Sequence, residues 1–166
     1  KGLETNEVHP IYKAMNLLNY DVANVGNHEF NYGLPFLKEA IDDTNFPYIS
    51  ANVFFDDADN DTTNDTPYFT PYLLKDKQVL DTEGNAHTIT IGYIGFLPPQ
   101  IMQWDKKNLE GKVTAKDIKA TAELLVPQTG LEGADIIVAI PQSGINTTNY
   151  SKDAKEFNSS WYLADV

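Results

Sequence analysis

The 166-residue chain carries 24 acidic against 12 basic side chains, a formal charge of −12, with 42% hydrophobic residues. A polyanion of this kind repels duplex phosphates, which excludes a DNA- or RNA-coating role, and all 12 basic residues are Lys, so no guanidinium fork is present to clamp phosphate. The length fits one domain or a piece of one, nothing approaches the roughly 18 apolar residues of a membrane span, and the lack of Cys excludes disulfides, thiolate metal sites and a cysteine nucleophile.

Pro10 suits the first turn of a helix, and Ile11, Met15 and Leu18 recur at helical spacing, predicting a helix over 9–19. Val22 to Val25 reads as a short strand ending at Gly26, and a second amphipathic helix runs from Leu34 through Leu37 to Ile41. Residues 46–53 read as strand, and 56–66, rich in Asp, Asn and Thr, as a surface excursion. Strands are expected at 72–74, 78–80 and 86–94, with Glu83-Gly84-Asn85 turning a hairpin. Thr114 and Asp117 mark a helix start that Ile118, Ala122 and Leu125 continue to Pro127. Residues 134–140 are an apolar run of the buried, parallel-strand type ending at Pro141-Gln142-Ser143-Gly144, and 153–166 reads as helix. No internal repeat or linker divides the chain, and its polar start at Lys1 contains no signal peptide and suggests a fragment.

The tetrapeptide Gly26-Asn27-His28-Glu29 lies in the polar loop after the first strand, where open α/β sheets place their ligands. Gly permits a tight turn, Asn offers a hard carbonyl oxygen to a metal, and His adds a titratable group beside it. On spacing alone such an Asn-His pair is more often a turn former than a site. His9 and His87 read as a helix-start residue and a strand residue. Tyr93, Phe96 and Trp104 read as strand-face core packing rather than a base-stacking platform. The Asp56 to Asp61 run lacks the Gly and Glu of an EF-hand loop and reads as solvated. Asn-x-Ser/Thr triplets at Asn60, Asn64, Asn146, Asn149 and Asn158 accept glycans only in a eukaryotic secretory pathway.

Gly26 to Gly33, Gly-Asn-His-Glu-Phe-Asn-Tyr-Gly, resembles the signature of the calcineurin-like metallophosphoesterases, in their nucleotidase branch. The stretches 8–16, 46–48, 50–53, 69–73, 91–95, 98–102 and 104–106 extend the resemblance, in order, over essentially the whole chain. It implies an α/β chain, a fragment of a four-layer α-β-β-α sandwich, with residues 1–166 forming part of a catalytic domain. It implies hydrolysis of 2′,3′-cyclic nucleotides and 3′-nucleotides; a 5′-nucleotidase and a degenerate binding module are the alternatives. Two divalent metal ions such as Mn, Zn or Mg and a nucleotide substrate are implied, and a periplasmic location.

Carried over residue by residue, Asn27 is implied as a metal ligand and His28 as the catalytic group on the leaving-group side. Glu29 reads as a helix-start or supporting carboxylate. The family's upstream Asp-x-His and bridging Asp, and its downstream Gly-His-x-His, have no counterpart in this sequence. Gln142 stands where the family places a ligand His; its amide oxygen is a candidate metal contact, though a softer divalent ion prefers imidazole. The chain alone is therefore expected to be inactive and to bind no metal tightly.

Overall fold

A computed structural model describes residues 7–59, 61 and 63–144. The chain order is α1 (Pro10–Leu17), β1 (Ala23–Asn24), a 3₁₀ turn (His28–Phe30), α2 (Leu34–Asp42), β2 (Tyr48–Ile49) and β3 (Val53–Phe55). There follow β4 (Tyr72–Leu80), β5 (Ala86–Phe96), α3 (Ile101–Trp104), α4 (Lys106–Leu109), β6 (Val113–Ala115), α5 (Ile118–Leu131) and β7 (Ile136–Pro141). The α/β class is as expected. The helix expected over 153–166 lies outside the described residues.

Three ladders are present among the described residues: β1 parallel to β2, β3 antiparallel to β6, and β4-β5-β7, in which β5 runs antiparallel to β4 and parallel to β7. They meet through the ends of β1, β2 and β5. Ala51 N–H donates to the Gly95 carbonyl at 2.7 Å, and the Asn24 side-chain amide donates to the Phe96 carbonyl at 2.7 Å. Gln142 N–H donates to that same carbonyl at 2.9 Å, extending the β5-β7 register. The C-terminal ends of β1, β5 and β7 thus converge on Phe96.

Two apolar clusters hold this arrangement. The larger centres on Val25, Phe30, Leu37, Val53, Leu97, Ile101 and Leu109, and the smaller on Ala51, Ile94, Phe96, Ile118 and Ala122. Each fully buried side chain of this size contributes about 1.5–3 kcal/mol, so Phe30 within the signature loop anchors that loop as firmly as a strand residue would. Helix α2 begins after Gly33, whose φ of 83° suits a residue without Cβ. It buries Leu34, Leu37 and Ala40 at i, i+3 and i+6.

Several expectations are corrected. Residues 72–74 and 78–80 belong to one nine-residue strand, because β5 offers an unbroken partner from Ala86 to Ile94. Residues 46–53 split between two ladders, since Ser50, Ala51 and Asn52 turn the chain from β2 to β3. Thr114 lies in β6, and Asp117 is the helix cap, accepting the Ala120 N–H at 2.9 Å. Helix α5 passes through Pro127 to Leu131 rather than ending there. Residues 101–115 form two short helices and a strand that periodicity did not reveal. Trp104 lies on α3 and is 47% exposed, so it is not strand-face packing. The parallel run at 134–140 is not buried: Ile136 is 49% exposed, because among the described residues β7 has a strand neighbour only on its β5 side.

Gly95 is required by a close approach. A Cβ built there falls 2.2 Å from the Asn24 Oδ1 and 2.9 Å from Ile49 Cγ1. Gly95→Ala is expected to lower stability by about 1–3 kcal/mol, read as a fall in the urea midpoint. An unchanged midpoint would show that β1 yields freely.

Candidate functional site

The signature loop leaves β1 at Val25, whose N–H donates to Ile49, and turns at Gly26. No side chain fits at Gly26: a Cβ would lie 2.8 Å from Glu29 Oε2 and 3.3 Å from Gln142 Oε1. Glu29 folds back so that its carboxylate accepts the Gly26 N–H at 3.0 Å, and it braces its own loop as a supporting carboxylate. Asn27 and Gln142 face one another across the cleft as a reciprocal amide pair. Asn27 N–H donates to Gln142 Oε1 at 2.6 Å, and the Gln142 amide donates to Asn27 Oδ1. His28 is exposed at the mouth. Asn24, Gly26, Asn27, His28, Glu29 and Gln142, with Ile140 and Pro141, line an open cleft of about 460 Å³.

Sequence-predicted Asn27, His28 and Gln142 are thus brought together, delivered by the ends of β1 and β7. His9 and His87 lie elsewhere: His9 caps α1 by accepting the Ile11 N–H at 3.3 Å, and His87 contacts Asp81 at 2.9 Å beside the β4-β5 turn. Behind the cleft, burial raises the pKa of Tyr48 and Tyr12, and the Glu29 charge adds to both. Both phenols therefore stay neutral near pH 7 and place no second anion beside Glu29. In the Asp56 to Asp61 run the carboxylates of Asp56, Asp57 and Asp59 accept main-chain N–H groups two residues on, as a solvated turn does.

Three residues that sequence reasoning left out support the loop. Asn31 contacts His28 Nδ1 at 2.9 Å through Oδ1 and donates through Nδ2 to both Asp105 oxygens at 3.1 Å. Asn108 donates to the carbonyls of Phe30 and Asn31 at 3.0 and 3.2 Å. Asn31 sits three residues after His28, a spacing that allows contact within one turn. Asp105 and Asn108 are 74 and 77 positions from Asn31 and carry no local signal.

The donors present do not by themselves fit a two-metal centre. Among the described residues no group of three or more His, Cys, Asp or Glu could hold a metal ion. The two amide oxygens of Asn27 and Gln142 do not face a common point, since each already accepts a hydrogen from the other residue. Calorimetric titration of the 166-residue chain with Mn²⁺ is expected to show no pair of micromolar sites. Two tight sites per chain would contradict this.

No family model matches the chain. It is 51% identical over its whole length to a 2′,3′-cyclic-nucleotide 2′-phosphodiesterase/3′-nucleotidase of Salmonella typhimurium, of which it covers 24%. Over 90% of its length it is 45% identical to the trifunctional nucleotide phosphoesterase YfkN of Bacillus subtilis, covering 10% of that protein. The crystal structure of calcineurin-like phosphoesterase YfkN from Bacillus subtilis superposes on 95% of the chain with a TM-score of 0.85 at 44% identity, the chain covering 45% of it. The chain spans about a quarter of the length of its cyclic-nucleotide phosphodiesterase relatives. With full-length similarity in sequence and a shared fold, the chain belongs to the calcineurin-like phosphoesterases.

Proposed function

We propose that a longer protein carrying this chain is a metal-dependent phosphoesterase that hydrolyses 2′,3′-cyclic nucleotides to 3′-nucleotides, and those to nucleosides. The observation that carries this reading is the convergence of Asn27, His28 and Gln142 on one cleft, within a segment 51% identical to an enzyme of that name. Paired divalent ions in such an enzyme polarise the phosphate and lower the pKa of the attacking water. Asn27 supplies one oxygen to that centre, and the ligands lacking here come from other parts of the longer protein. Gln142 holds Asn27 in the present arrangement and offers its oxygen to a metal only when its amide turns away. His28, at the mouth, meets the departing sugar oxygen and stabilises its charge or gives it a proton. The partner is a nucleotide rather than a duplex, in keeping with the charge of −12, and the location is the periplasm.

The Asn27–Gln142 pairing also favours a second reading, a degenerate phosphoesterase domain that binds without hydrolysing, because both amide oxygens already have donors. The two are separated by incubating a full-length protein carrying this segment, with Mn²⁺, against 2′,3′-cyclic AMP, 3′-AMP and 5′-AMP. Release of nucleoside and phosphate from the first two, faster than from 5′-AMP, is expected. Preference for 5′-AMP would overturn the substrate assignment, and no turnover of any would favour the degenerate domain.

A further inference from the structure

We propose that Asn31 and Asp105 are positioning residues that fix which ring nitrogen of His28 faces the cleft. The use made of this in turnover rests on the catalytic reading of His28; the geometry does not. Asp105 is 8% exposed, and its two oxygens lie 3.1 Å from the Asn31 Nδ2. A carboxylate only accepts, so the Asn31 NH₂ must point at Asp105 and its Oδ1 must point away. That oxygen lies 2.9 Å from His28 Nδ1. An amide oxygen also only accepts, so Nδ1 carries a hydrogen and the neutral ring presents Nε2 as its bare nitrogen. The two amide faces of Asn31 thus pass a one-way constraint from a buried carboxylate to an exposed imidazole.

The backbone keeps the three groups in line. Asp105 precedes α4, and Asn108, three residues on, holds the Phe30 and Asn31 carbonyls with its own amide. Asn31 is itself exposed, so without these contacts its side chain would sample water rather than one orientation. A free histidine side chain favours hydrogen on Nε2. The constraint therefore reverses the intrinsic preference of the ring, which makes it visible spectroscopically.

The test is nitrogen-15 NMR of the ring of His28 in the 166-residue chain, at a pH where imidazole is neutral. The wild-type chain is expected to show mainly the Nδ1–H tautomer. Asp105→Asn puts an amide that also donates opposite Asn31, and should return the majority to Nε2–H. Asn31→Ala removes the acceptor at an exposed position and should do the same, which keeps the test open should the buried Asp105 variant fail to fold. A wild-type majority of Nε2–H, or a tautomer that neither substitution moves, would overturn the relay. In a full-length protein, Asp105→Asn should lower kcat about 10-fold with KM within about twofold; an unchanged kcat would overturn its positioning role. Because the tautomer is read without substrate or metal, its result is separate from whether His28 acts in catalysis.

Discussion

In a full-length protein carrying this segment, His28→Asn is expected to slow turnover by about 10²–10⁴-fold while bound metal stays constant, the usual scale for losing a positioned acid or charge stabiliser. His28 is exposed at the cleft mouth, and the ring contact found for it is through Nδ1 to Asn31, on the side away from the metal-facing amides. Asn27→Ala should act differently. It deletes an oxygen that faces into the cleft, so metal content should fall along with activity. The His28 deficit should shrink for a nitrophenyl ester, whose leaving anion needs little help. Equal slowing for good and poor leaving groups at full metal content would assign His28 to holding the phosphate instead. Metal analysis and steady-state rates on the two variants are sufficient.

Asn52→Ala should be the most destabilising single truncation near the site, by roughly 3–4 kcal/mol in urea unfolding. Asn52 is fully buried, and its amide makes three bonds: Nδ2 to the carbonyls of Leu97 and Lys116 at 2.7 and 2.8 Å, and Oδ1 from the Leu97 N–H at 3.0 Å. Removing it leaves three main-chain groups without partners where water does not reach, each costing about 1–3 kcal/mol. Asn52→Asp should do no better, since it turns a carboxylate onto two carbonyl oxygens. The damage should spread to the cleft, because Leu97 follows Phe96, whose carbonyl receives both Asn24 and Gln142. A loss below about 1 kcal/mol in the alanine variant would mean that the chain around Leu97 repairs itself.

Asn27, His28 and Gln142 were legible because local signals carry them: a glycine turn after an apolar strand, and a polar tetrapeptide after an apolar run. The meeting of the β1 and β7 loops followed from the rule that parallel strands deliver their C-terminal loops to one edge. What was hidden depends on distant partners. Asp105 reads as one more surface acid until α4 brings it against Asn31. The strand Val113–Ala115 is too short for alternation to show, and exists because β3 lies beside it. Pro127 stops a helix only where its missing N–H is needed, and α5 carries on past it. The exposed face of β7 defied its composition because burial depends on neighbours and not on the strand itself.

Asn27 and Gln142 lie 115 positions apart in the chain. Closing a loop of that size costs on the order of 4 kcal/mol in chain entropy before any contact is made, so the pair gains nothing until the intervening strands have shortened the path. During synthesis the signature loop emerges early and must wait for β7, while β5, already paired with β4, provides the surface on which β7 settles. The cleft is therefore a late product of folding, and a chain halted before Gln142 would carry the Gly26 to Glu29 loop with nothing to close it.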